Sequence, residues 1–493
     1  MTGSIWVVLP LACLVAGAFV VYLIARFLTQ RNEVLATFTS GIFGVALVLL
    51  LILQMEVSAE SLPMWGALTA EGAFLRVDPG AVVVIGIALG LGFLVAIYSG
   101  RYLEHDRRYE LYYPLLLLLI AGLVGLVMAA DLFSIYLFCE LMSVSAYVLV
   151  AFRRRTRTAI EAGFKYLMMG SVGTVTLLVG ISFIYREQGH LAFAQMSEAS
   201  GVWTRAGAAC FLVGLGVKSA FVPLHTWLPD AHGRAPSSIS AILSGIIVQS
   251  AFYALLKTCL GVGLPRHTLG TVLIGLSLFN MTVGNSMALV QTYTKRLLGY
   301  STVAQMGYMM LSVGVGLRYG LPTAIQAGLF MILVQAVMKG LAFLCKGVCH
   351  FYDGTTTVEE LQGTFSHMPI IATMFGLALA GLAAVPPLAG FAGKWLVLGN
   401  VVRSADLFGF VALAVFLLNS VVALGYYLPL IGRLFAHPSR GDERMDVERA
   451  PISRWMMVPI LALGVLVIVM GVYPAPWLGW MADVGTYLLA LGG

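Results

Sequence analysis

Five ionisable side chains lie within apolar stretches of the sequence. Four are the lysines Lys165, Lys218, Lys339 and Lys394, and the fifth is Glu140 in the segment DLFSIYLFCELMSVSAYVLV. An ionisable group at membrane depth costs about 2.5–3.5 kcal/mol on insertion scales. The pKa of a buried lysine shifts readily, which suits a lysine to taking up and releasing protons. A row of such groups is what a proton pathway requires.

The alternative role for each group is an ion pair, or a side chain that extends to the membrane surface. This alternative weighs most for Lys165, which lies near the start of its predicted helix and could reach the cytoplasmic side. Glu140, Lys218 and Lys394 lie too deep to extend so easily. These three are therefore the stronger candidates for proton transfer.

Two of the lysines accompany prolines that interrupt an apolar segment. Lys218 precedes Pro223 in GVKSAFVPLHTWLPDAHGRAP, and Lys394 follows Pro386 and Pro387 in AAVPPLAGFAGKWL. Proline frees a backbone carbonyl, which lipid tolerates only where the backbone is buried or lines water. A proline alone indicates a kink, but a break with a buried lysine in each half of the chain is typical of an ion site in an inverted-repeat transporter.

Further polar side chains lie in the same region. Each alone is more often a helix–helix hydrogen bond than a functional group. As a set they predict a water-holding axis formed by His225, Asp230, His232, Gln249, Ser250, Asn280, Asn285, Gln291, Gln305, Gln335 and Asn419.

The elements that must position these residues are transmembrane helices. Of the 493 residues, 60% are hydrophobic and 11% are charged, whereas a soluble domain has about 25% charged residues. This composition excludes a water-soluble enzyme, a nucleic-acid binder and a disordered scaffold, and the unbroken apolar runs exclude a membrane β-barrel. Fourteen helices are predicted near residues 4–26, 34–54, 79–99, 111–130, 132–152, 160–184, 206–223, 236–262, 268–290, 297–318, 321–349, 368–400, 406–435 and 455–480.

The distribution of Lys and Arg predicts the orientation. Loops after odd-numbered predicted helices hold 18 of these residues, including Lys346, and loops after even-numbered helices hold 7, including Lys257. Because basic residues concentrate in cytoplasmic loops, we expect odd-numbered helices to end in the cytoplasm and both termini to lie outside. We expect no cleaved signal peptide and no soluble domain, with longer loops only at residues 57–78 and 436–454.

The six cysteines predict neither a disulfide framework nor a cofactor site. Only Cys345, Cys349 and His350 lie close together, and a lone C-x-x-x-C-H has too few ligands for a closed metal site. The sequence also lacks a phosphate loop, a Gly-rich dinucleotide turn and a cluster-binding cysteine spacing. We therefore expect this chain to hold no metal, flavin, iron–sulfur or nickel cofactor.

Several stretches resemble the antiporter-like membrane subunits shared by respiratory complex I, the Mrp-type sodium/proton antiporters and the energy-converting membrane hydrogenases. They run from about residue 131 to 395 and include EAGFKYLMMGSVGT, QTYTKRLLGYSTVAQMGYMML, and the specific WLPDAH and APSSISA motifs. The resemblance, closest to the Mrp and hydrogenase branches, implies an all-α polytopic fold with two inverted five-helix repeats and broken helices 7 and 12. The implied domains are residues 1–110, 111–262, 268–435 and 436–493.

The resemblance also implies roles for single residues. Glu140 and Lys218 match the family's glutamate–lysine couple, Lys339 matches a lysine of the eleventh helix, and Lys394 matches a charged position on the second broken helix. His225 and Asp230 match the motif after the first break, where a structural or gating role is expected. The predicted translocation set is Glu140, Lys218, Lys339, Lys394, His225, Gln249, Gln335, Lys165 and Asp230.

Two positions depart from the family pattern. Gln249 stands where the eighth helix usually carries a lysine, and Gln335 stands where the eleventh usually carries N-H-A-x-x-K. Glutamine can hold water but cannot store a proton near neutral pH. Either water carries the proton between the lysines, which we favour, or the relay is weakened.

The sequence therefore predicts a subunit of a prokaryotic inner-membrane complex that translocates protons, with sodium as a possible second ion. Its partners would be other membrane subunits and lipid, not nucleic acid, and the driving reaction would occur elsewhere, so the chain itself is not predicted to be catalytic. Two alternatives stay open. One is a structural subunit with vestigial lysines, which Gln249 and Gln335 favour. The other is a stand-alone cation transporter, which the lack of a midplane carboxylate pair disfavours.

Overall fold

The computed structural model describes residues 5–29, 31–56, 64–65, 74–106, 108–153, 156–196, 201–404, 406–438 and 451–491. Most of the two predicted longer loops lies outside these residues. Apart from one short antiparallel pairing, Met64–Trp65 with Leu75–Arg76, the regular structure of the described residues is helical.

The first six predicted helices are confirmed, with small shifts at their ends. They form α1 (Leu9–Phe27), α2 (Asn32–Glu56), α3 (Pro79–Tyr102), α4 (Tyr109–Met128), α5 (Leu132–Val150) and α6 (Arg157–Gln188).

The seventh and eighth predicted helices are interrupted. The seventh becomes α7 (Val202–Lys218) and α8 (Trp227–Arg234), separated by a break at residues 219–226. The eighth becomes α9 (Ser237–Ile242), a π-helical turn (Leu243–Ile247) and α10 (Val248–Gly261).

The second half repeats this plan. It consists of α11 (Arg266–Leu289), α12 (Thr294–Tyr319), α13 (Pro322–Asp353), α14 (Thr364–His367), α15 (Pro369–Leu382), α16 (Ala389–Val402), α17 (Leu407–Phe435), α18 (Arg454–Val472), α19 (Ala475–Trp480) and α20 (Ala482–Leu491). The twelfth predicted helix is α15 and α16, separated by a second break at residues 383–388.

In the part of the chain that the structure describes, 11 helices are long and apolar enough to cross a membrane by themselves. The other three predicted crossings are α7 with α8, α12, and α15 with α16. The predicted end of the last crossing at residue 480 is wrong, because α18 stops at Val472 and Pro474 follows. Proline lacks the amide donor that the next backbone hydrogen bond of the helix would need.

The two breaks have the same backbone hydrogen bonds. At the first, the amides of Ser219, Ala220 and Phe221 donate to the carbonyls of Leu215, Val217 and Gly216; at the second, those of Ala383, Ala384 and Val385 donate to Leu379, Gly381 and Ala380. Ala220 and Ala384 both have a positive φ, of 53° and 64°. The breaks are therefore equivalent points of two five-helix repeats. Because five is odd, successive repeats cross the membrane in opposite directions, which makes them inverted.

When the two breaks are aligned, Lys218 and Lys394 do not occupy equivalent positions. Lys218 is the last residue before the first break, and its equivalent before the second is Leu382. Lys394 lies after the second break, in α16. The repeats therefore share their backbone, while their charged groups differ.

Two elements form the centre of the molecule. The segment α9–α10 and the helix α13 are buried along the whole of their most apolar windows. They meet closely at Gly245, where an added Cβ would lie 3.4 Å from the Ala336 carbonyl oxygen. We call the membrane face at which α3 begins and α10 ends the Asp78 face, and the opposite face, where α8 ends, the Arg234 face.

Asn280 of α11 satisfies backbone groups that the first break frees. Its Oδ1 accepts from the Val222 amide at 2.8 Å, and its Nδ2 donates to the Ala220 carbonyl at 3.2 Å. We expect Asn280→Ala to lower stability by about 1–3 kcal/mol, because it leaves buried backbone groups unsatisfied. Thermal unfolding of the purified protein in detergent measures this.

Gln291→Ala is the matched control. The Gln291 amide bonds only the Met287 carbonyl of the same segment, so its loss should leave the unfolding midpoint nearly unchanged. Equal midpoints for the two variants would contradict the assigned role of Asn280.

Candidate functional site: a buried lysine axis

Lys218 is held at the end of α7 by two hydroxyl groups of α5. Its Nζ donates to Ser143 Oγ at 2.6 Å and to the Tyr147 hydroxyl at 2.7 Å, and the side chain is only 2% exposed. Both partners are neutral oxygen atoms, so the amine is solvated without a fixed counter-charge.

Glycine in α6 makes room for this arrangement. A Cβ at Gly170 would overlap the Tyr147 hydroxyl and would lie 3.0 Å from Lys218 Nζ. Close contacts between Gly173 and Gly214 hold α6 against α7 at the same level. The glycines at these positions therefore allow α6 to approach Lys218 closely.

Glu140 lies one helical turn before Ser143 on α5, beside the Lys218 site. Among the described residues no ion pair within 4 Å joins it to Lys218, so the couple expected from the resemblance is not in direct contact in this state. Glu140 is partly exposed, between the exposed side chains of Leu137 and Val144.

Lys339 is fully buried in the middle of α13 and is bound to α12. Its Nζ donates to the Leu298 carbonyl at 2.9 Å and contacts Ser301 Oγ. The same Leu298 carbonyl accepts from Thr302 Oγ1 at 2.9 Å. Thr302 is hydrogen-bonded to Ser244 Oγ at 2.5 Å, which carries the polar chain into the α9–α10 segment.

Gln249 continues this chain. Its Nε2 donates to the Ser244 carbonyl at 2.8 Å, while its Oε1 has no protein partner. Both polar atoms of Gln335, one turn from Lys339, also have no protein partner. Buried polar groups in proteins are bonded to protein or to water, so these amides mark places for water. Gln249 is therefore joined to the polar chain from Lys339, and Gln335 lies one helical turn from that lysine.

Lys394 lies in the second half of the chain, and its neighbours differ from those of Lys218 and Lys339. Its Nζ is buried, lies 4.3 Å from the centre of the Tyr308 ring and has no hydrogen-bond partner among the described residues. Beside Tyr308 lies Asn285, which bonds Asn419 at 3.0 Å and Tyr426 at 2.9 Å. The Lys394 amine therefore faces an aromatic ring, and an amide network lies beside that ring.

Three predicted site residues lie towards the Arg234 face. Lys165 is half exposed and pairs with Glu161 at 2.8 Å and Asp230 at 3.2 Å, as the ion-pair alternative proposed. Asp230 also faces Arg296 at 3.4 Å. His225 lies within the first break, next to the backbone of Pro223. Lys165 and Asp230 therefore form a surface cluster apart from the deep amines.

The distribution of basic residues predicts loop positions for Lys346 and Lys257, and this prediction is wrong. Lys346 is buried in α13, where it donates to the Thr355 carbonyl at 2.5 Å. Lys257 is buried in α10, and its Nζ lies 2.9 Å from Asp78 Oδ2. Both side chains lie inside the protein, where an oxygen atom lies close to each amine. The available signal for Lys257 was its spacing of four residues from Tyr253 and of eight from Gln249.

In the part of the chain that the structure describes, no cluster of three His, Cys, Asp or Glu side chains could hold a metal ion. The arrangement instead offers amines, hydroxyls and amides in series. Such groups can bind water and pass protons.

The fit of Gly170 against Tyr147 gives a test of the Lys218 site. We expect Gly170→Ala to destabilise the protein by about 1–3 kcal/mol, as overpacking does, because the added methyl group displaces the Tyr147 hydroxyl. Thermal unfolding in detergent measures the change. Gly275→Ala is the control, since an added Cβ there meets nothing within 4 Å. A Gly170→Ala midpoint equal to that of the control would show that the site is loosely packed.

Comparison with known proteins places this geometry in a family. A family model described as "NADH:quinone oxidoreductase/Mrp antiporter, TM" matches residues 129–419. A second, described as "NADH-Ubiquinone oxidoreductase (complex I), chain 5 N-terminus", matches residues 72–113.

Similar proteins cover nearly the whole chain. NADH-quinone oxidoreductase subunit N of Chromohalobacter salexigens is 30% identical over 96% of this chain and 97% of its own. A Na(+)/H(+) antiporter subunit of Alkalihalophilus pseudofirmus is 26% identical over 98% and 97%. A chain of the archaeal membrane-bound sulfane sulfur reductase is 25% identical over 98% and 97%, with a TM-score of 0.87.

The breaks, the helix order and the buried lysines thus coincide with a sequence match over more than half of the chain. The protein belongs to the NADH:quinone oxidoreductase/Mrp antiporter family of polytopic membrane subunits.

Proposed function

We propose that this chain is a proton-translocating subunit of a multisubunit membrane complex. The observation that carries the proposal is the polar chain that links Lys339 through Leu298, Thr302 and Ser244 to Gln249 in the centre of an apolar bundle. Buried amines and amides of this kind are costly in a membrane and are typical of proton relays.

The Lys218 amine can exchange a proton with its neutral neighbours. Ser143 and Tyr147 accept from the Lys218 ammonium, and a hydroxyl can also donate to the neutral amine. Glu140 lies one helical turn before Ser143 on α5, so a change in its charge acts electrostatically on the Lys218 site. Gln249 and Gln335 hold water between the titrating groups.

Two features support partner subunits. Glu140 is partly exposed between Leu137 and Val144, and an ionisable group facing lipid at this depth is unfavourable. A neighbouring membrane subunit at this edge of α5 would cover it. The relatives named above are subunits of larger assemblies, and we infer that the driving reaction, redox or ion exchange, occurs in other subunits. Sodium as a second ion belongs to the same proposal.

The orientation and the domain limits are also part of the proposal. Arg153, Arg234, Lys295 and Arg296 line one cavity of about 310 Å³ at the Arg234 face. Because basic residues concentrate on the cytoplasmic side, this face is cytoplasmic and both termini lie outside. The repeats occupy residues 111–262 and 268–435, between an N-terminal unit at 1–110 and a C-terminal unit at 436–493.

A structural subunit with inert lysines is the alternative that Gln249 and Gln335 favoured. The unpartnered amide atoms of both residues support the relay instead, because a tightly packed structural core would pair them. A stand-alone transporter would leave Glu140 partly exposed to lipid, which is unfavourable. The surroundings of Glu140 therefore do not support this alternative.

Removal of the Lys218 amine separates these functions. We expect Lys218→Met to reduce proton transport by the reconstituted complex by about tenfold or more, because a positioned proton-transfer group contributes about 10²–10⁴-fold. Assembly should persist, since Met has a similar volume. Proton uptake into proteoliposomes measures transport.

Lys165→Met is the matched control. Lys165 is exposed and its partners Glu161 and Asp230 stay in water, so transport should remain close to that of the unchanged complex. Normal transport by an assembled Lys218→Met complex would favour the structural alternative.

Gln249→Lys tests whether water spans the gap in the relay. A lysine here adds a titratable amine to a path that already conducts, so we expect transport to persist with a shifted pH profile. Proton uptake measured across a series of pH values detects the shift. Transport that is absent in the unchanged complex and present only in Gln249→Lys would refute the water bridge.

A further inference from the structure

One face of α10 carries polar groups from the centre of the molecule to the Asp78 face. Gln249, Tyr253 and Lys257 are each four residues apart, so they lie on the same side of the helix. Eight residues of helix extend about 12 Å. All three side chains are buried, so the row runs through the interior and not along the lipid boundary.

The row ends in a buried ion pair. Lys257 Nζ lies 2.9 Å from Asp78 Oδ2 and donates to the Val127 carbonyl at 2.9 Å. The Tyr253 hydroxyl donates to Asp78 Oδ1, which also accepts the Ala81 amide at 2.8 Å. The exposed fractions of Lys257 and Asp78 are 1% and 0%. Such a pair adds little net stability, because desolvation offsets the attraction.

Polar groups continue beyond the pair. Arg76 and Tyr487 lie close to Asp78 and Tyr253, and Arg76 Nη2 donates to the Tyr487 hydroxyl at 2.8 Å. Both side chains are only partly buried. The pair is therefore one layer from the surface.

The first turn of α3 leaves space for the Tyr253 hydroxyl. A Cβ at Gly80 would overlap it, so the helix approaches the ring with no side chain between. At the inner end of the row, Gln249 Oε1 has no protein partner, which leaves an acceptor for a water molecule that bridges towards Tyr253.

We propose that α10 forms the half-channel between Lys339 and the Asp78 face, with Lys257 and Asp78 as its terminal proton-exchanging pair. The inference rests on the proposed function and adds the route by which the first repeat reaches that face. A proton passes from water at Gln249 to Lys257 as Lys257 releases one through Asp78 to surface water beside Arg76 and Tyr487. One proton enters, one leaves, and no other bond changes.

Three variants of the intact, reconstituted complex test the route. Lys257→Arg retains the charge and the ion pair, but arginine does not deprotonate in proteins. Tyr253→Phe removes only the hydroxyl. The double variant Asp78→Asn with Lys257→Met removes both charges together and leaves no unpaired buried charge, so it guards against a folding defect. We expect each to assemble in normal amounts and to transport protons at least about tenfold more slowly.

Arg318→Gln is the matched control. Arg318 faces Asp406 at 3.6 Å in a partly exposed pair at the end of α12, on the same membrane face. Its transport should equal that of the unchanged complex. Normal transport by Lys257→Arg and by the double variant, with transport lost in Lys218→Met, would overturn the α10 route and leave the proposed function intact. Normal transport in Lys218→Met as well would instead overturn the proposed function.

Discussion

Burial of amines inside an apolar bundle is the constraint on which the rest of the structure depends. An ammonium group without solvation is too costly at membrane depth, and the structure solvates each one differently. Lys218 has two hydroxyls, Lys339 has a carbonyl and a hydroxyl, and Lys394 has an aromatic face. These acceptors are neutral, so they stabilise the charge without fixing it. Lys257 differs because it faces the carboxylate of Asp78.

The helix breaks impose a second requirement. Each break frees backbone groups inside the bundle, and these groups need hydrogen-bond partners. Side-chain amides from the second repeat bind both. Asn280 of α11 bonds the backbone of the first break, and Gln305 of α12 donates to the Leu382 carbonyl at 3.2 Å before the second break. The first break is therefore stabilised across the boundary between the repeats. A shift of one repeat against the other would change the surroundings of Lys218.

The central pair of helices explains how two glutamines fit into a relay. Gln249 in α10 and Gln335 in α13 lie in the two elements that are buried along the whole of their most apolar windows. Among the described residues, Gln249 Oε1 and both amide atoms of Gln335 have no hydrogen-bond partner, so both positions stay polar inside the bundle. The hydroxyls of Ser244 and Thr302 connect the two helices through α12. In the proposed relay, these protein groups and water together take the place of titratable amines.

The sequence by itself determined the all-helical membrane fold, because long apolar runs and their polar interruptions depend only on local composition. It also determined the positions of both breaks from Pro223, Pro386 and Pro387. The depth of Lys218, Lys339 and Lys394 followed from the same apolar runs.

Only the tertiary structure decided which polar groups meet. Lys257 and Asp78 are far apart in the chain, and counting basic residues assigned Lys257 to a loop. The exposure of Lys165 and the distance between Glu140 and Lys218 were equally undetermined. Such contacts depend on how neighbouring helices rotate and approach, which here follows from glycines such as Gly170 and Gly80. No pattern within a single helix records the partner that it will face.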